Sequence, residues 1–213
     1  MRVELLLDTD FIIKMARYSL LGAFDELMKA RGHAASPFRY LYEVKANMRE
    51  AGRDPTRSKF GSHVALNSCR SFVADGLEMV PAQEDIDVFT ELREIEGMDQ
   101  GEAILVAYML REANALMVSG DKKMIDGLNT RDGDKFRPAL LKRIVHLNRI
   151  MWTLAEGEGW DEVRDRVCKN APCDAALYDA LEPSLSKPDA QARFYKMTVE
   201  YERSSRGLLR TSL

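Results

Sequence analysis

Five short apolar runs, each followed by a stretch of helical length, limit this chain to few architectures. Residues 3–7 (VELLL), 33–38, 77–80, 115–119 (ALMVS) and 143–147 (RIVHL) are strand candidates. Helical periodicity marks 11–21, 24–30, 39–51, 64–74, 84–96 and 101–112. Apolar strands alternating with helices predict βαβ units and a parallel sheet covered on both faces, hence the α/β class. From residue 148 onward no strand is expected. The last 66 residues read as three or four helices, broken near Gly157-Glu158-Gly159, Asn170-Ala171-Pro172 and 182–188. The expected division is an α/β domain over 1–147 and an all-helical extension over 148–213. Segment 53–62 (RDPTRSKFGS) reads as an exposed loop.

With 213 residues the chain can bury a full core without disulfides or structural metals. No apolar run approaches the length of a membrane span, so no membrane partner is expected. Glu4 and Asp8 interrupt the apolar N-terminus, which is unlike a signal peptide. Three cysteines, an odd number, point to a reducing compartment and a cytoplasmic location.

The acids carry the functional signal. Asp8 and Asp10 follow the first strand directly, and Glu43 lies one turn into the helix after the second. Asp99 and Glu102 open the apolar helix AILVAYML, and Asp121 follows ALMVS. In a doubly wound sheet these positions can converge at the carboxyl ends of the strands, where ligands bind. Clustered carboxylates raise one another's pKa unless a cation compensates them. All-oxygen donors favour Mg²⁺ or Mn²⁺, one or two ions, which suits phosphodiester hydrolysis. Helix capping explains some of the same residues: Asp8-Thr9-Asp10 and Asp121 suit N-caps, and Asp99-Gln100-Gly101-Glu102 has capping-box spacing. Glu43 alone reads equally as a solvated helix acid.

Taken in order, LLLDTDFII, SPFRYLYEV, DQGEAILVAYML and LMVSGDKKMI resemble the PIN-domain nucleases, including toxin members of bacterial toxin–antitoxin pairs. The resemblance covers 1–147, with Asp8, Glu43, Glu102 and Asp121 separated by 35, 59 and 19 residues. It implies a three-layer fold with a central parallel five-stranded sheet flanked by helices. It further implies a Mg²⁺- or Mn²⁺-dependent endoribonuclease, leaving a 5′-phosphate and a 3′-hydroxyl, with Asp8, Glu43, Glu102 and Asp121 as the metal-holding acids. Asp99, one turn before Glu102, is a further metal candidate; Asp10 and Ser119 support the site. An antitoxin protein is an implied partner, and a homodimer is expected. The helical extension is a departure, since the family's toxins are commonly shorter.

Between Arg39 and Arg70 seven Lys and Arg face three acids, a local +4 in a chain of net charge −3. Lys45, Arg49, Arg53, Arg57 and Lys59, with Lys122 and Lys123 near Asp121, are the candidate RNA-phosphate contacts. Setting aside Asp8, Asp10, Glu43, Asp99, Glu102 and Asp121 turns the net charge from −3 to +3. Tyr40 and Phe60 can stack on bases or serve the core. Two other readings stand. In a haloacid-dehalogenase-like phosphatase Asp8 would be a nucleophile, although Phe11-Ile12 depart from that family's loop and Glu43 and Glu102 gain no role. A catalytically inactive PIN-like scaffold is the other. Cys168 and Cys173 lack the companions of a zinc site. His146 is expected in the core or at the sheet edge, and Trp152 and Trp160 as anchors of the extension.

Overall fold

The computed structural model describes residues 3–32, 38–170 and 173–211. In chain order the elements are β1 (Glu4–Leu7), α1 (Thr9–Arg17), α2 (Leu21–Ala30), β2 (Arg39–Leu41), α3 (Tyr42–Ala51), α4 (His63–Val73) and β3 (Leu77–Met79). A 3₁₀ turn at Gln83–Asp85 leads into α5 (Ile86–Arg93), followed by α6 (Gln100–Arg111), β4 (Ala115–Ser119), α7 (Lys122–Leu128), α8 (Arg137–Leu140) and β5 (Ile144–His146). The chain continues through α9 (Leu147–Glu158), α10 (Trp160–Cys168), α11 (Ala175–Ala180) and α12 (Lys187–Ser204).

All strand pairs are parallel, in the order β3-β2-β1-β4-β5. The three-leucine run of β1 is wholly buried because helices cover both faces. Leu5 and Leu7 enter one core with α1–α4 and α9–α12, while Leu6 enters the other with α5–α8. The α/β class and the helix-flanked, five-stranded parallel sheet expected from the sequence are present, as a three-layer arrangement.

Three local readings change. The strand expected over 33–38 falls mostly outside the described residues, and β2 occupies Arg39–Leu41, where helical periodicity had placed the start of a helix. The periodicity misleads because Tyr40, Val44 and Met48, spaced by four, join the same core although only the last two are helical. The helical reading of 11–21 is interrupted after Arg17: Ser19 takes φ +56°, and α2 starts afresh at Leu21. Beyond α12 the described residues leave the helix. Leu209 makes a parallel bridge to Ile144, and the Arg210 amide donates to the Ile144 carbonyl at 2.7 Å, covering part of the β5 edge.

Residues 148–213, the expected extension, pack against the sheet helices. Met151, Trp160, Val163, Leu177 and Phe194 share one buried core with Phe11 and Ile12 of α1. Trp152 meets Trp160 edge to face and packs on Phe194 and Tyr195, tying α9, α10 and α12 together. Segment 53–62 folds into turns around Phe60, which is buried, so Phe60 and the equally buried Tyr40 serve the core.

Candidate functional site

The strand order reverses between β1 and β4, and the acids gather at the carboxyl ends of these strands. Leu7 pairs with Val118, so the next residues, Asp8 and Ser119, lie side by side. The Asp8 amide donates to the Val118 carbonyl at 3.0 Å, and the Ser119 hydroxyl donates to Asp8 Oδ2 at 3.1 Å. The same hydroxyl accepts from the Asp121 amide at 3.0 Å. Ser119 thus links the two acids. On the far side of β1, α3 starts immediately after β2 and puts Glu43 in its first turn.

Asp99 and Glu102 arrive on α6. A Cβ added at Gly101 would stand 2.8 Å from Leu41 Cδ1, so glycine lets the amino end of α6 lie on the carboxyl end of β2. Gly127 of α7 plays the matching part for Asp121: its Cβ would be 2.5 Å from the Glu96 carbonyl, in the turn leading to Asp99. Gly127→Ala is therefore expected to destabilise the fold by about 2 kcal/mol. That corresponds to a melting midpoint lower by about 4–8 °C in a thermal melt. An unchanged midpoint would show that this close approach holds nothing in place.

Together Asp8, Asp10, Glu43, Asp99, Glu102 and Asp121 line one cleft of about 350 Å³. All six acids singled out by their positions in the sequence therefore line the same cleft. Thr9, Asn47 and Gln100, which the sequence reading did not pick, line it as well. Asn47 lies one helical turn after Glu43 and donates to its carbonyl at 2.8 Å, a spacing that could have flagged it. Thr9 Oγ1 is buried without a hydrogen-bond partner among the described residues.

Capping explains part of the arrangement. Asp99 and Glu102 form a complete capping box, at 2.8 and 2.9 Å. Asp121 Oδ1 caps α7 through the amides of Lys123 and Met124. Asp8, in the N-cap position of α1, makes no capping bond with its side chain. Helix ends thus account for where Asp99, Glu102 and Asp121 stand, and leave the carboxylate of Asp8 unexplained by capping.

The electrostatics are unfavourable for bare carboxylates. Burial is the main cause lifting Asp8 from 3.8 to about 7, helped by Asp10, Asp99 and Asp121 and opposed by the Ser119 hydrogen bond. Glu102 is lifted from 4.5 to about 8, again first by burial, with the Asp99 amide opposing and Asp121, Asp99 and Asp8 adding repulsion. The donor set is all oxygen, which fits a hard divalent cation. Each capping or Ser119 bond engages one carboxylate oxygen of Asp8, Glu102 or Asp121, and each carboxylate has a second. As the side chains stand, no three acidic, histidine or cysteine groups among the described residues are drawn together at ion-holding distance; Glu102 and Asp121 are turned into their caps.

The candidate RNA contacts divide. Lys59 lines the acidic cleft and also an adjoining groove of about 320 Å³ that it shares with Asn47, Arg53 and Arg57 and with the acids Glu50 and Asp54, the latter 3.5 Å from Arg57. Lys45 is instead paired with Glu78 at 2.7 Å, and Arg49 lies over the Tyr42 ring. Lys122 lies over Tyr201 of α12, and neither it nor Lys123 lines the cleft. His146 is buried at the end of β5, and burial first, then Lys122, pushes it down to about 3. Its Nδ1 accepts from the Asn148 amide, so Nε2 carries the proton and faces the Gly120 carbonyl at 3.3 Å, bracing the turn before Asp121. Compared with protein-family models, with curated proteins and with solved structures, the chain matches none.

Proposed function

We propose that this protein is a Mg²⁺- or Mn²⁺-dependent ribonuclease of the PIN-like kind, hydrolysing RNA phosphodiester bonds in the acidic cleft. One observation carries the reading: six carboxylates from four separate chain segments converge on a single cleft whose one lining cation, among the described residues, is Lys59. So many acids around a cleft, two of them pushed up to about 7 and 8, suit a site completed by divalent metal. Asp8, Glu43, Glu102 and Asp121, with Asp99, would hold the ion. When bound, Mg²⁺ or Mn²⁺ would supply the positive charge that activates water and draws in phosphate oxygens. Ser119 supports Asp8 through its hydrogen bond, Asp10 holds Lys14 beside the cleft, and the groove of Arg53, Arg57 and Lys59, which Glu50 and Asp54 also line, offers the backbone track.

A haloacid-dehalogenase-like phosphatase would leave Glu43 and Glu102 idle in the cleft they line. Cleavage of single-stranded RNA with Mn²⁺ by the parent, Asp8→Asn and Glu43→Gln proteins separates the readings. Loss in both variants supports the nuclease. Phosphatase activity lost only with Asp8→Asn supports the alternative, and inactivity with no metal binding supports an inactive scaffold. An antitoxin protein as partner and a homodimeric state belong to the same proposal.

Lys59 and Arg57 should behave differently. Lys59→Met, at the junction of cleft and groove, is expected to lower turnover about tenfold by removing a cation beside the reacting phosphate. Arg57→Ala, on a side chain 90% exposed, should weaken RNA binding a few-fold and reduce its salt dependence, leaving turnover near the parent's. Equal effects of both on binding alone would remove Lys59 from the reacting centre.

A further inference from the structure

The C-terminal segment reaches the cleft's edge through a partly buried lysine. Lys14, on α1, has a side chain only 14% exposed, and its Nζ stands 2.8 Å from Asp10 Oδ2 and 3.0 Å from Asp174 Oδ2. Asp10 lines the cleft; Asp174 comes from the extension, where its other oxygen caps α11 through the Leu177 amide at 3.0 Å. The same Nζ lies 3.6 Å from where a Cβ on Gly120 would stand, against the turn that carries Asp121. One ammonium is therefore shared between an acid of the cleft and an acid of the extension, beside both strands of the site.

We propose that Asp174 is a positioning residue for the acidic cleft: by sharing Lys14 with Asp10 it sets how much of the ammonium's charge the cleft feels, and hence how tightly the cleft holds a divalent cation. The inference rests on the metal-dependent reading above. Lys14 is charged in this setting: burial opposes its charge, but Asp10 and Asp174 together raise its pKa above the usual lysine value. With Asp174 in place the Asp10–Lys14–Asp174 group carries one net negative charge. Neutralising Asp174 leaves the ammonium to Asp10 alone and makes the cleft's surroundings less negative. Removing the ammonium does the opposite.

The test is calorimetric titration of the metal-free protein with Mn²⁺ alone. Asp174→Asn keeps a good N-cap for α11 while removing the charge, and Lys14→Met keeps the aliphatic stem. Asp174→Asn is expected to weaken Mn²⁺ binding, and Lys14→Met to tighten it, each about three- to tenfold at low salt. The double variant should return to within about twofold of the parent, because the two charge changes cancel. Lys14→Gln stands in if the methionine variant fails to fold. Weakening by both single variants would mean that the pair only maintains structure, and would overturn the proposal. So would unchanged affinity in both while Asp8→Asn abolishes binding; that outcome leaves the nuclease reading intact. Absence of any Mn²⁺ binding that Asp8→Asn removes would instead bring down the metal-dependent reading, and this inference with it.

Discussion

Asp8→Asn is expected to reduce Mn²⁺-dependent RNA cleavage by on the order of a thousandfold or more, the loss of several kcal/mol of transition-state stabilisation. The substitution removes the charge from a buried acid of the cleft and little else. Asparagine can still accept the Ser119 hydroxyl, and Asp8 makes no capping bond that would be lost. The metal-free variant should also melt higher than the parent at pH 8. An ionised Asp8 is held there against burial and three neighbouring acids, a cost on the order of a few kcal/mol that the amide does not carry. Loss of cleavage together with gain of stability is the signature of a functional acid that the fold does not need. Cleavage kept with a lowered melting point would make Asp8 a structural residue and remove it from the site.

The second large effect is with pH. Asp8 is raised from 3.8 to about 7 and Glu102 from 4.5 to about 8. Between those limits the folded, metal-free chain binds more protons than the unfolded chain does. The contribution of these two groups to stability is therefore full below about pH 4, falls as pH rises toward 8, and is flat above it. A bound cation acts the other way, because it requires the carboxylates ionised. Affinity for Mn²⁺ should thus fall about tenfold per unit on acidification below pH 7, and more where both groups must lose protons together. Thermal melts with and without metal, from pH 6 to 8.5, report both arms. The metal-induced rise in melting midpoint should be small at pH 6 and large at 8. A rise independent of pH would show that neither Asp8 nor Glu102 holds the ion.

Much of this site could be read before the fold was known, for a local reason. Each acid sits at a strand's end or a helix's first turn, and such places are marked by neighbours in sequence. LLL before Asp8, ALMVS before Asp121 and the capping spacing of Asp99 and Glu102 are all contiguous signals. The misreadings share a cause as well. Residues 39–41 read as helix because Tyr40 keeps the spacing of Val44 and Met48, yet its partners are strands on either side. Among the basic residues, charge alone could not tell Lys59, at the mouth of the cleft, from Lys45, held by Glu78.

Periodicity, turn residues and caps act within a few positions, so the linear chain already specified a parallel α/β sheet and the strand ends where its acids stand. Meeting in one cleft is a property of chain crossing. It needs β1 and β4 to be neighbours at the reversal of strand order, and it needs glycines at 101, where α6 lies on the Leu41 side chain, and at 127, where α7 presses on the Glu96 backbone. Clustering alone leads one to expect raised carboxyls, but desolvation depends on every group packed around a carboxylate, so burial as the main cause at Asp8 and Glu102 had no mark in the sequence. Nor did the link from Asp174 to Lys14, 160 residues apart, whose contact exists only because the extension folds back on α1.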